Sequence, residues 1–323
     1  MRRRIFILGL GTAVVARPLG ANAQPAAIPR VGYVWIGRRG TDVSGAGLRK
    51  GLSDLGYEIG RNITLEERYA DDDGARVPTL ISELLAQKVD VLVTPGAFAT
   101  LAARRGTSTV PIVFVSGDPV KAGIVASLNR PGGNATGMSL LTNDYSAKWL
   151  ELMKDALPRL TRVAVLWNLD SPSSSAEIER MKTAAQALGV DLSLFRANAE
   201  EIEQSLASIA NGGFDGLALT TDPSLEWLTS RVISFAAEHR LPAIYPFSFA
   251  VEQGGLMSYA TDLFEIWRHV ASYVDRILKG EKPADLPVEQ AERVELKINL
   301  KTARALGLVL PASLLARADE VIE

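Results

Sequence analysis

A few short segments carry the residues best suited to hold a small molecule. Thr94-Pro95-Gly96-Ala97 joins a Pro-Gly turn to a helix start. The first amide N–H groups of a helix lack partners within it, and with the helix dipole they favour an anion such as a carboxylate. Ser116-Gly117-Asp118-Pro119 and Thr221-Asp222-Pro223 each set an aspartate before a proline. That pattern reads first as a helix start, with Asp as cap and Pro as first residue. Its second reading is a carboxylate facing a ligand's ammonium or hydroxyl. Asn168, in Asn168-Leu169-Asp170, adds a side-chain amide. Trp35, two residues before Gly37, and Tyr245, Phe247 and Phe249 supply apolar walls, or else packing. The candidate ligand-binding set is Trp35, Gly37, Thr94, Gly96, Ala97, Ser116, Asp118, Asn168, Asp222, Tyr245 and Phe247. In it the Gly96 and Ala97 amides seat an anion. Ser116, Asp118, Asn168 and Asp222 hydrogen-bond a polar end, and Trp35, Tyr245 and Phe247 flank an apolar part.

This chemistry is binding rather than turnover. The two histidines, His239 and His269, fall on predicted helices away from any nucleophile loop. There is no H-E-x-x-H, no cysteine cluster and no G-x-S-x-G, and neither a G-x-G-x-x-G nor a Walker A loop. We therefore expect no catalytic residues, no metal and no cofactor. Asp71-Asp72-Asp73 reads as a solvated turn, because a calcium loop needs further ligands at set spacing.

The elements that position these loops alternate between strand and helix. Val31–Ile36, Val89–Thr94 and Pro111–Val115 are short apolar runs, as in parallel strands buried on both faces. Asn62–Tyr69 alternates. Ser44–Leu55, Val77–Gln87 and Leu263–Leu278 have helical spacing, and Asp118-Pro119 is expected to open a further helix. In open parallel sheets ligands lie outside the carboxyl ends of the strands. That rule selects the loops named above.

The chain also repeats itself. Arg30-Val31-Gly32-Tyr33-Val34-Trp35 returns as Arg162-Val163-Ala164-Val165-Leu166-Trp167. Val89-Asp90-Val91 returns as Phe214-Asp215-Gly216, and Val110-Pro111-Ile112 as Leu241-Pro242-Ala243. The expected fold is α/β: two doubly wound parallel-sheet lobes, joined by a multi-crossing hinge, with a cleft between them. Lobe one is assigned residues 29–139 plus 260–285, and lobe two residues 140–259 plus 286–323.

Residues 1–23 read as a signal peptide. Arg2, Arg3 and Arg4 precede a short apolar run, and Ala21-Asn22-Ala23 places cleavage after Ala23. Arg3-Arg4-Ile5-Phe6-Ile7 also resembles the twin-arginine signal, so twin-arginine and general secretory export both stand. A periplasmic location follows, with no direct membrane anchor, since the chain has no cysteine to carry a lipid. Removing that segment leaves 31 basic against 37 acidic residues, a net charge of −6. Such a balance gives no basic face for nucleic acid.

Longer segments are similar to a known family. They include Pro111-Ile112-Val113-Phe114-Val115-Ser116-Gly117-Asp118-Pro119-Val120, Leu128-Asn129-Arg130-Pro131-Gly132-Gly133-Asn134, His239-Arg240-Leu241-Pro242-Ala243-Ile244-Tyr245 and Leu314-Leu315-Ala316-Arg317-Ala318-Asp319-Glu320. From Arg30 to Glu323 the chain resembles periplasmic substrate-binding proteins of ABC transporters, a family with tryptophan- and tyrosine-binding members. The resemblance implies a type I periplasmic binding fold, a small-molecule ligand clamped between lobes, and delivery to an ABC permease and its ATPase. Pro246-Phe247-Ser248-Phe249 stands where many members carry glycine and a charged residue, which makes the rim more apolar. An aromatic or carboxylate-bearing amphiphile is then an option beside an amino acid. A ligand-sensing receptor subunit and a two-lobed hydrolase or transferase are the alternatives.

Overall fold

The structure is a computed structural model that describes residues 28–323, apart from 41, 141, 170, 199 and 292. The expected signal peptide and Asp170 lie outside the described residues.

Ten strands form two copies of one pattern. In the first sheet these are β1 (Arg30–Trp35), β2 (Thr64–Tyr69), β3 (Val91–Pro95), β4 (Ile112–Ser116) and β5 (Ala135–Ser139). In the second they are β6 (Arg162–Trp167), β7 (Asp191–Arg196), β8 (Gly216–Leu219), β9 (Ala243–Tyr245) and β10 (Met257–Ala260). The orders 5-4-3-1-2 and 10-9-8-6-7 are the same, strand for strand. β1 and β6 each lie between two strands, next to the edge, and are buried along nearly their whole length, as their apolar runs require. β2 and β7 sit at the edges and are half-buried. Three late strands complete the sheets: β11 (Glu289–Gln290) beside β5, then β12 (Glu295–Asn299) and β13 (Glu320–Ile322) beyond β10. β12 runs antiparallel to β10, so the second sheet is parallel except at that pair.

The repeat extends to the amino ends of the sheets. The Asp90 carboxylate accepts the Arg30 amide at 2.7 Å, and the Asp215 carboxylate accepts the Arg162 amide at 2.9 Å. The Arg30 guanidinium donates to the Gln87 carbonyl, and the Arg162 guanidinium to those of Gly212 and Gly213. Each pair ties the first strand of its lobe to the turn before the third.

Helices cover both sheets. They are α1 (Val43–Asp54), α2 (Val77–Ala86), α3 (Gly96–Gly106), α4 (Thr142–Ala156), α5 (Pro172–Leu188), α6 (Ile202–Asn211), α7 (Pro223–Glu226), α8 (Thr229–Glu238), α9 (Phe249–Glu252), α10 (Leu263–Leu278), α11 (Leu300–Ala305) and α12 (Ala312–Leu315). Helix is interrupted at Trp227-Leu228, between α7 and α8. The helix expected after Asp118-Pro119 does not form. The Ala122 amide reaches the Asp118 carbonyl, but those of Ile124 and Val125 both reach Pro119, and Gly123 at φ +72° turns the chain away. Asp118 does cap this turn, accepting the Lys121 amide at 2.9 Å.

α10 follows the second set of strands yet packs on the first sheet, against α1. Gly47 and Gly51 make the approach possible. A Cβ on Gly47 would lie 2.5 Å from the Phe264 carbonyl oxygen, and one on Gly51 2.1 Å from that of Arg268. The chain stays with the first sheet longer than expected. Thr136 donates to the Leu286 carbonyl, the Val288 amide to Leu128 and the Ala291 amide to Ser139. Residues 286–291 thus run along the first sheet, because β11 adds to its edge.

Candidate functional site

The carboxyl ends of the two sheets face each other. Between them lies a small, deep cavity of about 40 Å³. Both lobes contribute. From the first come Trp35, Ser44, Pro95, Gly96, Ala97, Ser116 and, on α10, Leu263 and Trp267. From the second come Ser171, Thr221, Asp222, Glu226 and Phe247. An outer cavity of about 640 Å³ adjoins it, also bordered by Pro95, Gly96, Ala97 and Asp222. Its remaining lining includes Asp71, Asp72, Asp73, Asn168, Glu200 and Trp227.

The aromatic wall grows from strand periodicity. Tyr33 and Trp35 lie on one face of β1 and stack at 6.4 Å. Trp267 meets Tyr33 edge-on at 6.0 Å. Phe247 closes the opposite side, stacked on Phe249 at 5.5 Å. One apolar cluster runs unbroken from β1 and α10 to Phe247 and Leu225, so the lobes are in contact.

Several buried polar atoms here have no hydrogen-bond partner among the described residues: Trp35 Nε1, Ser116 Oγ, Thr221 Oγ1 and Glu226 Oε1. Such groups cost stability unless something pairs with them. Glu226 reaches across the cleft. Its other oxygen lies 3.5 Å from Ser44 Oγ, and the Val43 amide at the start of α1 donates to its carboxylate. Burial, and then the Asp42 carboxylate, push Glu226 up to about 8. Asp42 is itself raised by burial, against the pull of Arg49 at 4.0 Å. The Tyr33 hydroxyl beside these carboxylates is raised well above its ordinary value, chiefly by burial.

The cleft brings together Trp35, Gly96, Ala97, Ser116, Asp222 and Phe247 from the expected set. Asn168 stands at the outer cavity and donates to Asp222 at 3.2 Å. Four expected residues fall elsewhere. Thr94 turns its hydroxyl to Thr100 at 2.9 Å, bracing α3 against β3. Gly37 lies behind Trp35, where a Cβ would come within 2.9 Å of the indole nitrogen. Asp118 lines neither cavity, because its carboxylate holds the turn. Tyr245 packs its ring on Gly255, in the core. Asp72 is no solvated turn residue. It pairs with Arg38 at 2.7 Å, its side chain only 3% exposed.

Sequence reasoning missed Ser44, Glu226 and Trp267. Glu226 lies four residues past Asp222, a spacing that places both on one side of a helical turn. Trp267 had no local signal, because its place depends on the return of α10. Among the described residues no cluster of His, Cys, Asp or Glu could hold a metal ion, and no helix is long and apolar enough to cross a membrane.

The family profile described as "ABC transporter substrate binding protein" matches residues 33–322. The chain belongs to that family. It is 27% identical over 271 residues to a tyrosine-binding protein of Clostridioides difficile, covering 83% of this chain and 77% of the relative. A conserved domain protein of Vibrio cholerae superposes with a TM-score of 0.82 at 28% identity, over 91% of this chain and 99% of that one. The ABC domain of Streptococcus pneumonia in complex with L-Trp gives 0.81 at 25% identity, with the same coverage. A ligand-free, open substrate-binding protein of Clostridium difficile, equally identical and equally covered, gives only 0.61. In this substrate-binding protein one buried apolar cluster spans both lobes, so they touch across the cleft.

Proposed function

We propose that this protein is exported to the periplasm, its signal peptide removed after Ala23. There it captures a small amphiphilic solute with an aromatic part and hands it, chemically unchanged, to an ABC permease and its ATPase. The observation that carries this reading is the cavity between facing sheet edges, walled by Trp35, Phe247 and Trp267. The tyrosine and L-Trp named for two relatives support an aromatic ligand. Lobe one comprises residues 29–139 with 260–291, and lobe two residues 140–259 with 292–323. Gly96 and Ala97 offer amides, Ser116 and Asp222 offer polar side chains, and Asn168 guards the entrance. A ligand that touches both lobes favours closure by its differential affinity for the closed state. Native mass spectrometry of purified protein tests the reading, followed by a thermal-shift screen of aromatic acids, amines and amino acids. One noncovalent small molecule per chain, leaving with unaltered mass, is expected. A product differing from the added compound would overturn capture without turnover. Saturating ligand at 100 times its dissociation constant adds about 2.7 kcal/mol of stability.

A further inference from the structure

Charge is distributed unevenly around the cleft. Six acidic residues line the two cavities: Asp71, Asp72, Asp73, Glu200, Asp222 and Glu226. No lysine or arginine is among the described residues lining either one. Two of these acids are paired, Asp72 with Arg38 and Asp71 with Arg76, at the outer cavity. At the deep end Glu226 is 4% exposed, and its Oε1 has no partner among the described residues. Two further unpaired oxygens, Ser116 Oγ and Thr221 Oγ1, lie in the same lining, both over nine-tenths buried. Trp35, Trp267 and Phe247 line the same cavity and supply its apolar wall. A buried carboxylate with a vacant oxygen, in a lining without a lysine or arginine, is complementary to positive charge.

We propose that the deep end of the cleft, where Glu226 of one lobe meets Ser44 of the other, seats a protonated amine of the ligand. On this assignment the protein takes amine-bearing aromatic solutes and rejects aromatic acids that lack an amine. The inference rests on the solute-capture reading and narrows its ligand class. It also explains why the seat spans both lobes. An ammonium held by Glu226, at the edge of α1, joins the two halves directly.

The seat couples capture to protons. The Tyr33 hydroxyl faces Glu226 from β1, Asp42, Ser44 and the Val43 amide from the start of α1, and Asp222 from one turn earlier in its own lobe. Arg49 is engaged with Asp42 and Glu67. With Glu226 pushed up to about 8, the empty seat holds a proton at neutral pH. An arriving ammonium expels it. Amine affinity therefore rises with pH, by at most about tenfold per unit, until the carboxylate is ionised, and then levels off.

Three probes sharing one ring test the assignment: tryptamine, L-tryptophan and indole-3-acetate. Calorimetry on the full mature chain at pH 7.5, in buffers of different ionisation enthalpy, reads affinity and proton release together. The expected result is binding of at least one amine-bearing probe, about tenfold or more tighter than the acid, with a proton released. Glu226→Gln should abolish the release and the charge preference, and Asp222→Asn should weaken both to a smaller extent. Equal or tighter binding of indole-3-acetate overturns the inference and leaves solute capture standing. Failure of both amine-bearing probes to bind also overturns it, and capture is then decided by the native mass spectrum. An unchanged preference in folded Glu226→Gln removes that residue from the seat.

Discussion

The two lobes are alike at one end and unlike at the other. At the amino ends of the sheets, Asp90 and Asp215 hold the first strand of each lobe to the turn before the third in the same way. At the carboxyl ends, the equivalent loops after β3 and β8 have diverged. The first leads into α3 with backbone amides at Gly96 and Ala97, and the second presents Asp222 and, a turn later, Glu226. A duplicated scaffold keeps the contacts that register its strands and varies the loops that meet a ligand. Stability and ligand chemistry are thereby placed on opposite edges of each sheet, where separate substitutions reach them.

The largest expected break in this division is at the α1–α10 contact, which serves both ends. Gly51→Leu places a side chain against the Arg268 carbonyl and should cost about 3 kcal/mol by urea unfolding. It should also weaken ligand binding, because α10 carries Trp267. Trp267→Ala sharpens the point, with a loss of about 3–5 kcal/mol from a buried indole together with loss of the wall.

At the scaffold end alone, Asp90→Ala and Asp215→Ala should cost similar amounts, about 1–3 kcal/mol each, without changing affinity. Asp215 carries an acid signature as well. The Thr161 hydroxyl, then the Thr161 and Arg162 amides, hold its carboxyl below the ordinary range. A depressed folded value means its contribution is present above the unfolded value and is lost as pH falls toward the folded one. Urea midpoints from pH 6 to 3 should therefore converge for wild type and Asp215→Asn.

At the cleft end the sign reverses. Glu226 is raised to about 8, so the folded chain holds a proton that an unfolded one releases near its ordinary value. The ligand-free form with Glu226 buried against the start of α1 therefore weakens as pH rises toward 8 and changes little beyond. Scattering of the empty protein should show a more compact particle at pH 5.5 than at 8.5, and Glu226→Gln should remove the difference. The smallest effect is expected at Asp118→Ala, where affinity should stay within about twofold because that carboxylate holds a turn.

Much of the scaffold was legible because it follows from local pattern. Apolar runs placed β1, β3 and β4, and the Arg30 and Arg162 echoes announced the duplicated sheet order. The site was half legible. The rule of carboxyl strand ends found Trp35, Gly96, Ala97, Ser116, Asp222 and Phe247, because it concerns where a loop lies. It could not say which way a side chain turns, and so admitted Thr94 and Tyr245, which face inward. It could not see Ser44 or Trp267, whose positions depend on the seating of α10, nor the break that frees Glu226 from one long helix. β11 escaped for a similar reason, since a two-residue edge strand has no periodicity to read.

The most direct test of capture between the lobes is small-angle scattering of the mature chain at pH 8.5, with and without saturating L-tryptophan. The account predicts contraction to a profile that matches the lobe arrangement described here, and loss of that contraction in Trp35→Ala. A calorimetrically bound ligand that leaves the profile open and unchanged would contradict it.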